Sequence, residues 1–212
     1  FDPLKNEWTS GVSDGHWHTW DQWKSAVVDN TIVFIGWPDF GRPDKMILSI
    51  FDNAKKEWKE KIVTGMIEYV YGFAFEAVGR MLYLAGGSNS DWETRRHVYS
   101  IDPFASSNVC TRLDDLRKER MDAASCVLNG KIYVIGGGRD ELSDGECYDP
   151  DTDTWTRIAP MNNARRRCAA TAFNGEIYVV GGKCNRWFIG GNQYSGTLEK
   201  YSPATNTWST LA

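Results

Sequence analysis

The chain has 212 residues, of which 42% are hydrophobic and 25% charged, with a formal net charge of −4. That is enough apolar material for a sizeable core, and the acidic balance speaks against nucleic acid as the main partner. No apolar run is long enough to cross a bilayer as a helix, and no cleavable leader pattern opens the sequence, so no membrane partner is expected.

In chain order, four short apolar runs end in glycine. They are Ile32-Val33-Phe34-Ile35-Gly36-Trp37, Leu82-Tyr83-Leu84-Ala85-Gly86-Gly87, Ile132-Tyr133-Val134-Ile135-Gly136-Gly137 and Ile177-Tyr178-Val179-Val180-Gly181-Gly182. Their first glycines are 50, 50 and 45 residues apart. A repeat of that length built from short strands predicts β-sheets stacked radially, one sheet per repeat.

The clearest unit runs from Arg120 to Trp155. Small residues from Ala123 to Leu128 read as a tightly packed first strand. Asn129-Gly130 follows, a two-residue hairpin signal in which both turn positions need positive φ. The strand Lys131 to Ile135 ends at Gly136-Gly137, where a side chain would clash with a closely approaching backbone. A third strand lies around Glu146-Cys147-Tyr148. Residues 149–154 make a turn rich in side chains that bond their own backbone, and Trp155 opens a fourth strand. The other units align on this one. Their third strands end at Phe51-Asp52, Ile101-Asp102-Pro103 and Tyr201-Ser202-Pro203. Trp58 and Trp208 open their fourth strands, with Cys110 at that position in the second unit. Residues 1–8 repeat the third-to-fourth strand turn once more, as the remnant of an earlier unit.

The double glycines Gly86-Gly87, Gly136-Gly137 and Gly181-Gly182, the Tyr-Asp-Pro segment, the spaced tryptophan and the arginine before the first strand resemble the kelch repeat. The likeness spans essentially the whole chain, and it is strongest in the last two units. It implies an all-β kelch propeller of four full four-stranded blades (residues 16–64, 65–116, 117–164 and 165–212) plus a partial blade (residues 1–15). Trp58, Trp155, Trp208, Tyr148 and Tyr201 are expected to pack between neighbouring blades. Kelch rings usually close with six blades, so this chain reads as part of a longer protein with further blades or domains.

The resemblance also implies a binding face, formed by the loops from strand two to strand three and by the links between blades. Those loops hold Trp37, Arg42, Trp92, Arg95, Arg139, Arg186 and Trp187; the links hold Arg120, Arg165 and Arg166. Arginine beside aromatics on loops is the composition of protein-binding hot spots, and it suits an acidic partner. Arg120 and Arg165 stand at the family's arginine position and are candidates for partner contact.

Five cysteines without a CxxC pair predict reduced thiols and a cytoplasmic setting, with Cys184 the most exposed. No nucleophile elbow, zinc-protease helix or phosphate loop occurs, and neither a cofactor nor a metal is expected. His16-Trp17-His18 leaves a copper site as an alternative, and scattered loop acids and arginines leave a sugar-active enzyme. The expected function is non-catalytic protein binding. The favoured role is substrate recognition in a Cullin-3 ubiquitin ligase adaptor, and the alternative is actin binding or cross-linking of the scruin type.

Overall fold

Burial of successive residues along the glycine-ended runs, near-continuous in Lys131–Ile135, marks them as strands covered on both faces. The computed structural model describes residues 23–37, 46–66, 70–184 and 193–211. The first blade is β1 (Lys24–Val28), β2 (Thr31–Gly36), β3 (Met46–Asp52) and β4 (Glu57–Val63). The second is β5 (Ala74–Val78), β6 (Met81–Ala85), β7 (Val98–Ile101) and β8 (Thr111–Arg112). The third is β9 (Ala124–Leu128), β10 (Lys131–Ile135), β11 (Gly145–Asp149) and β12 (Thr154–Ile158). The fourth is β13 (Ala169–Phe173) and β14 (Glu176–Val180), then, after a short ribbon of β15 (Lys183–Cys184) and β16 (Gln193–Tyr194), β17 (Leu198–Ser202) and β18 (Thr207–Thr210). Each blade is a four-stranded antiparallel sheet in sequence order. The remnant unit expected at residues 1–15 lies outside the described residues.

The first two strands of blades 3 and 4 meet at Asn129-Gly130 and Asn174-Gly175, whose φ values are +52, +74, +50 and +78°. That is the turn the sequence predicts, and it suits the right-handed twist of the strands it joins.

Alternation gives every blade two apolar faces. The trailing face of one blade packs on the leading face of the next, three times over. Blade 1 sets Val28, Val33, Ile35, Leu48 and Ile50 against Leu82, Leu84, Tyr99 and Ile101 of blade 2. Blade 2 sets Ala74, Ala85 and Val98 against Ile132, Val134, Tyr148 and Trp155 of blade 3. Blade 3 sets Cys126, Leu128, Tyr133, Ile135 and Ile158 against Ile177, Val179 and Tyr201 of blade 4.

The motif aromatics of blades 3 and 4 lie in these seams, whereas Trp58, expected between blades, packs within blade 1. Tyr148 and Tyr201 are 1% and 3% exposed and stand beside Tyr83 and Tyr133 of the preceding blade. The Trp155 indole donates to Asp114 O at 2.9 Å, and the Trp208 indole to Ala159 O at 2.8 Å, so each ring also pins the preceding link. Trp58 packs edge-on to Phe34 and beside Phe51 within its own blade. The five cysteines form no disulfide. Burial pushes the Cys110 and Cys126 thiols up to about 12.

Candidate partner-binding face

The link entering each blade runs along one rim of the array, and backbone hydrogen bonds tie successive links together. Asp122 N–H donates to Gly72 O at 2.7 Å, and Arg167 N–H donates to Asp122 O at 2.8 Å. These three residues occupy the same place in the repeat, and all are left-handed, with φ of +65, +55 and +55°. Glycine adopts that conformation freely; aspartate and arginine hold it where the link-to-link hydrogen bonds fix the backbone. The Asp122 and Arg167 side chains are thereby aimed by rigid backbone. They meet each other, with Arg167 Nε 2.9 Å from Asp122 Oδ2.

Arg120 and Arg165, two residues earlier, point the other way. The expectation that they touch a partner is overturned, because their side chains are 1% and 0% exposed. Arg120 donates from Nε to Glu146 at 3.1 Å, from Nη1 to Gly136 O and Asp144 O, and from Nη2 to Asp144 Oδ1. Arg165 repeats the pattern, to Gly181 O, Thr197 O, Thr197 Oγ1 and Glu199, the last at 2.5 Å. The bend after the second strand turns carbonyls inward, and a planar fork of five donors satisfies them in one step. Glu146 and Glu199 finish the job on their other side. Glu146 accepts Arg117 N–H and Lys118 N–H; Glu199 accepts Asn162 N–H and Asn163 N–H. The sequence reading missed both glutamates. Their signal is a glutamate two residues before the motif tyrosine, present in the last two units and absent from the first two.

Trp37 is also internal rather than a contact residue. It is 7% exposed, and its indole donates to Val70 O at 2.8 Å. In the next two blades the corresponding link carbonyl, of Arg120 or Arg165, accepts the second glycine's own N–H. The tryptophan side chain therefore makes the bond that backbone makes elsewhere. Arg42, Arg186 and Trp187 lie outside the described residues, as do His16 and His18.

The remaining candidates lie on the rim or beside it. Trp92 is 61% exposed and left-handed (φ +60°), with its ring edge-on to Tyr71 at 5.3 Å. Asn89 builds its turn, since Asn89 Oδ1 accepts Asp91 N–H and Glu93 N–H. Arg95 is half-buried and bonds Glu93 at 2.9 Å. That bond and one from Asn89 hold the Glu93 carboxyl below its ordinary value. Arg166 Nε lies 3.3 Å from the buried Glu141 carboxylate, and Nη1 lies 4.0 Å from Asp122. Arg139 is exposed and makes no ion pair among the described residues.

Among the described residues the rim is mixed in charge, its arginines interleaved with acids. Asp122 and Glu141, a loop acid the sequence gives no reason to single out, already hold Arg166 and Arg167. Among the described residues, the rim presents an exposed tryptophan, Trp92, an exposed arginine, Arg139, and the Arg167–Asp122 pair. Among the described residues no three His, Cys, Asp or Glu side chains gather as a metal site.

A family model described as the KLHDC2/KLHL20/DRC7 Kelch-repeats domain matches residues 1–182, and a Kelch motif model matches residues 164–212. The chain belongs to the kelch-repeat family. Similar curated proteins include Kelch-like protein 38 of Mus musculus, 28% identical over 138 residues, which are 62% of this chain and 22% of that protein. An F-box/kelch-repeat protein of Arabidopsis thaliana is 39% identical over 83 residues, 37% of this chain and 22% of that protein. The kelch array here therefore spans about a fifth of the length of these relatives. Among solved structures, that of YjhT matches with a TM-score of 0.67 at 11% identity, covering 89% of this chain and 68% of that one. At that identity the likeness concerns the propeller fold alone. Kelch membership and the kelch-like relatives make this a protein-interaction propeller.

Proposed function

We propose that this kelch array recognises its partner through the rim of links and strand-two-to-three loops, without catalysis, as the substrate-recognition part of a Cullin-3 ubiquitin ligase adaptor in the cytoplasm. The observation that carries the choice of face is Trp92: a large aromatic, 61% exposed, on a turn whose backbone Asn89 over-determines. A ring held this way loses little freedom when it is buried, which is what makes an aromatic a binding anchor. Arg139 supplies a fork for a partner carboxylate or backbone carbonyl. The adaptor role draws its support from the similarity to Kelch-like protein 38.

The test is capture of ubiquitin-modified proteins from proteasome-inhibited cells, followed by direct titration of a purified captured protein. Trp92→Ala with Arg139→Glu should weaken that titration by on the order of a hundredfold or more, two hot-spot contacts together. Unchanged affinity would remove this rim as the binding face. Saturable co-sedimentation with actin filaments, lost in the same double variant, would move the function to actin binding.

A further inference from the structure

Around Trp92 the basic side chains are engaged within the fold and two acids are not. Arg95 bonds Glu93 at 2.9 Å, and Arg96 Nε lies 3.4 Å from Asp115. In the link alongside, Lys118 bonds Asp144 at 2.6 Å, and Arg120 is buried with Glu146. Asp91 and Glu119 are exposed, and neither forms an ion pair among the described residues.

The backbone gathers these acids beside one ring. Tyr71 N–H donates to Ser88 O at 2.9 Å, and Ser88 N–H to Tyr71 O at 2.8 Å. Ser88 is bridged in turn to Thr94, whose Oγ1 donates to Glu119 at 3.0 Å. Three adjoining rungs thus carry the Tyr71 contact with the indole at one end and Glu119 at the other. Asp91 directly precedes Trp92 on the turn that Asn89 holds. Tyr71 takes one side of the indole, and the ring is still 61% exposed. Elsewhere in this blade arginines lie over aromatic rings, Arg80 over Phe104 and Arg112 over Tyr99, both at 5.3 Å. Among the described residues no cation lies over Trp92. Its φ of +60° is one that glycine or asparagine would hold with less strain. A bulky ring kept there on the surface gives packing little in return.

We propose that Trp92 takes a basic side chain of the protein partner, an arginine, laid over the indole face with its charge answered by Asp91 and Glu119. The face of an indole is the negative end of its quadrupole and attracts a cation more strongly than other aromatic side chains do. A guanidinium is planar and weakly hydrated, so it stacks on such a face at little cost in water. Two carboxylates without a cation of their own add attraction at short range. The proposal rests on the rim as the binding face and names what this loop selects: a partner that is basic here, the reverse of the acidic partner that the arginines of the rim imply.

The probe is acetyl-arginine amide, titrated into protein labelled with 5-fluorotryptophan; the Trp92 fluorine resonance is the one lost in Trp92→Phe. Acetyl-citrulline amide, neutral and nearly the same shape, is the control. The arginine probe should shift the Trp92 resonance saturably, and citrulline should bind on the order of fivefold more weakly, the effect of a cation on an exposed indole. Asp91→Asn with Glu119→Gln should bring the arginine probe down to the citrulline value. Both side chains are exposed, and thermal unfolding confirms that the double variant folds. Equal binding of the two probes overturns the cation site and leaves Trp92 an apolar anchor. So does tighter binding of acetyl-aspartate amide, or no shift at Trp92 with the arginine probe. The rim itself is judged separately, by titration of the captured partner, so the two readings can fail apart.

Discussion

Blades 3 and 4 solve with ions a packing problem that blade 2 solves with apolar side chains. In the later blades the link arginine and the third-strand glutamate form a buried pair, Arg120–Glu146 and Arg165–Glu199. In blade 2 the same two positions hold Val70 and Tyr99, 4% and 3% exposed. Both partners have changed together, as the physics requires: a lone buried charge is far worse than either matched solution. In blade 1 the glutamate position is Ser49, 1% exposed, whose hydroxyl makes no hydrogen bond among the described residues. The fourth strand shows the same division. Trp155 and Trp208 bond the preceding link through their indoles. In blade 2, Cys110 stands at that position, and its backbone N–H donates to Thr64 O at 2.8 Å instead. One architecture thus tolerates two chemistries at the same pair of positions, provided that both partners change together.

The largest test of that comparison removes one partner of an ionic pair. Glu199→Ala should cost about 3–5 kcal/mol, because it strands the Arg165 guanidinium and two link N–H groups. Val70→Ala at the matching apolar site should cost about 2 kcal/mol, a small cavity with no orphaned charge. Denaturant unfolding of the two variants measures the gap, and equal losses would erase the distinction between the halves. Trp155→Ala should fall near the ionic case, at about 3–5 kcal/mol, since the ring is buried across a seam. Trp58→Ala, on the half-covered face of blade 1, should cost clearly less. A sharper test transplants one solution into the other half. Arg120→Val with Glu146→Tyr copies blade 2 into blade 3, and should cost less than the sum of the single changes by at least about 1 kcal/mol. Additive losses would mean that the two positions do not act as a unit.

The blades were legible because repetition reinforces weak signals. Gly86-Gly87, Asn129-Gly130 and Trp155 each constrain backbone or burial at a fixed offset, so four imperfect copies locate one another. The rim was legible only as a location. Arg120 and Arg165 look like surface arginines because arginine is rarely buried, and nothing within their own links announces the acids that bury them. Those acids stand 26 and 34 residues downstream, on a different strand. Trp37 misled for the opposite reason. A tryptophan replacing a loop glycine reads as an exposed aromatic until Val70 O is seen accepting its indole. Asp122 and Arg167 were missed as a pair because they become neighbours only through the ladder that joins successive links. Trp92 and Arg139 needed no partner to be noticed, and they remain on the surface.

The smallest effect concerns the seam where the two halves meet. Glu76 on β5 stands where blade 3 has Cys126, and its carboxylate accepts a hydrogen bond from Ser125 Oγ across the seam at 2.7 Å. Burial pushes its pKa above the ordinary 4.5, and the Ser125 bond pulls the other way without cancelling it. Folding therefore favours the protonated acid. The stability that Glu76 contributes is fully present below 4.5, and it is lost as pH rises through the raised native value. Glu76→Gln keeps a neutral group of the same shape with an oxygen for Ser125, so the variant should match wild type in acid and unfold at a higher temperature near neutrality. Thermal unfolding followed against pH gives the answer directly. Parallel profiles for the two proteins would mean that the carboxylate is hydrated in the seam, and that blades 2 and 3 meet less tightly than their apolar neighbours suggest.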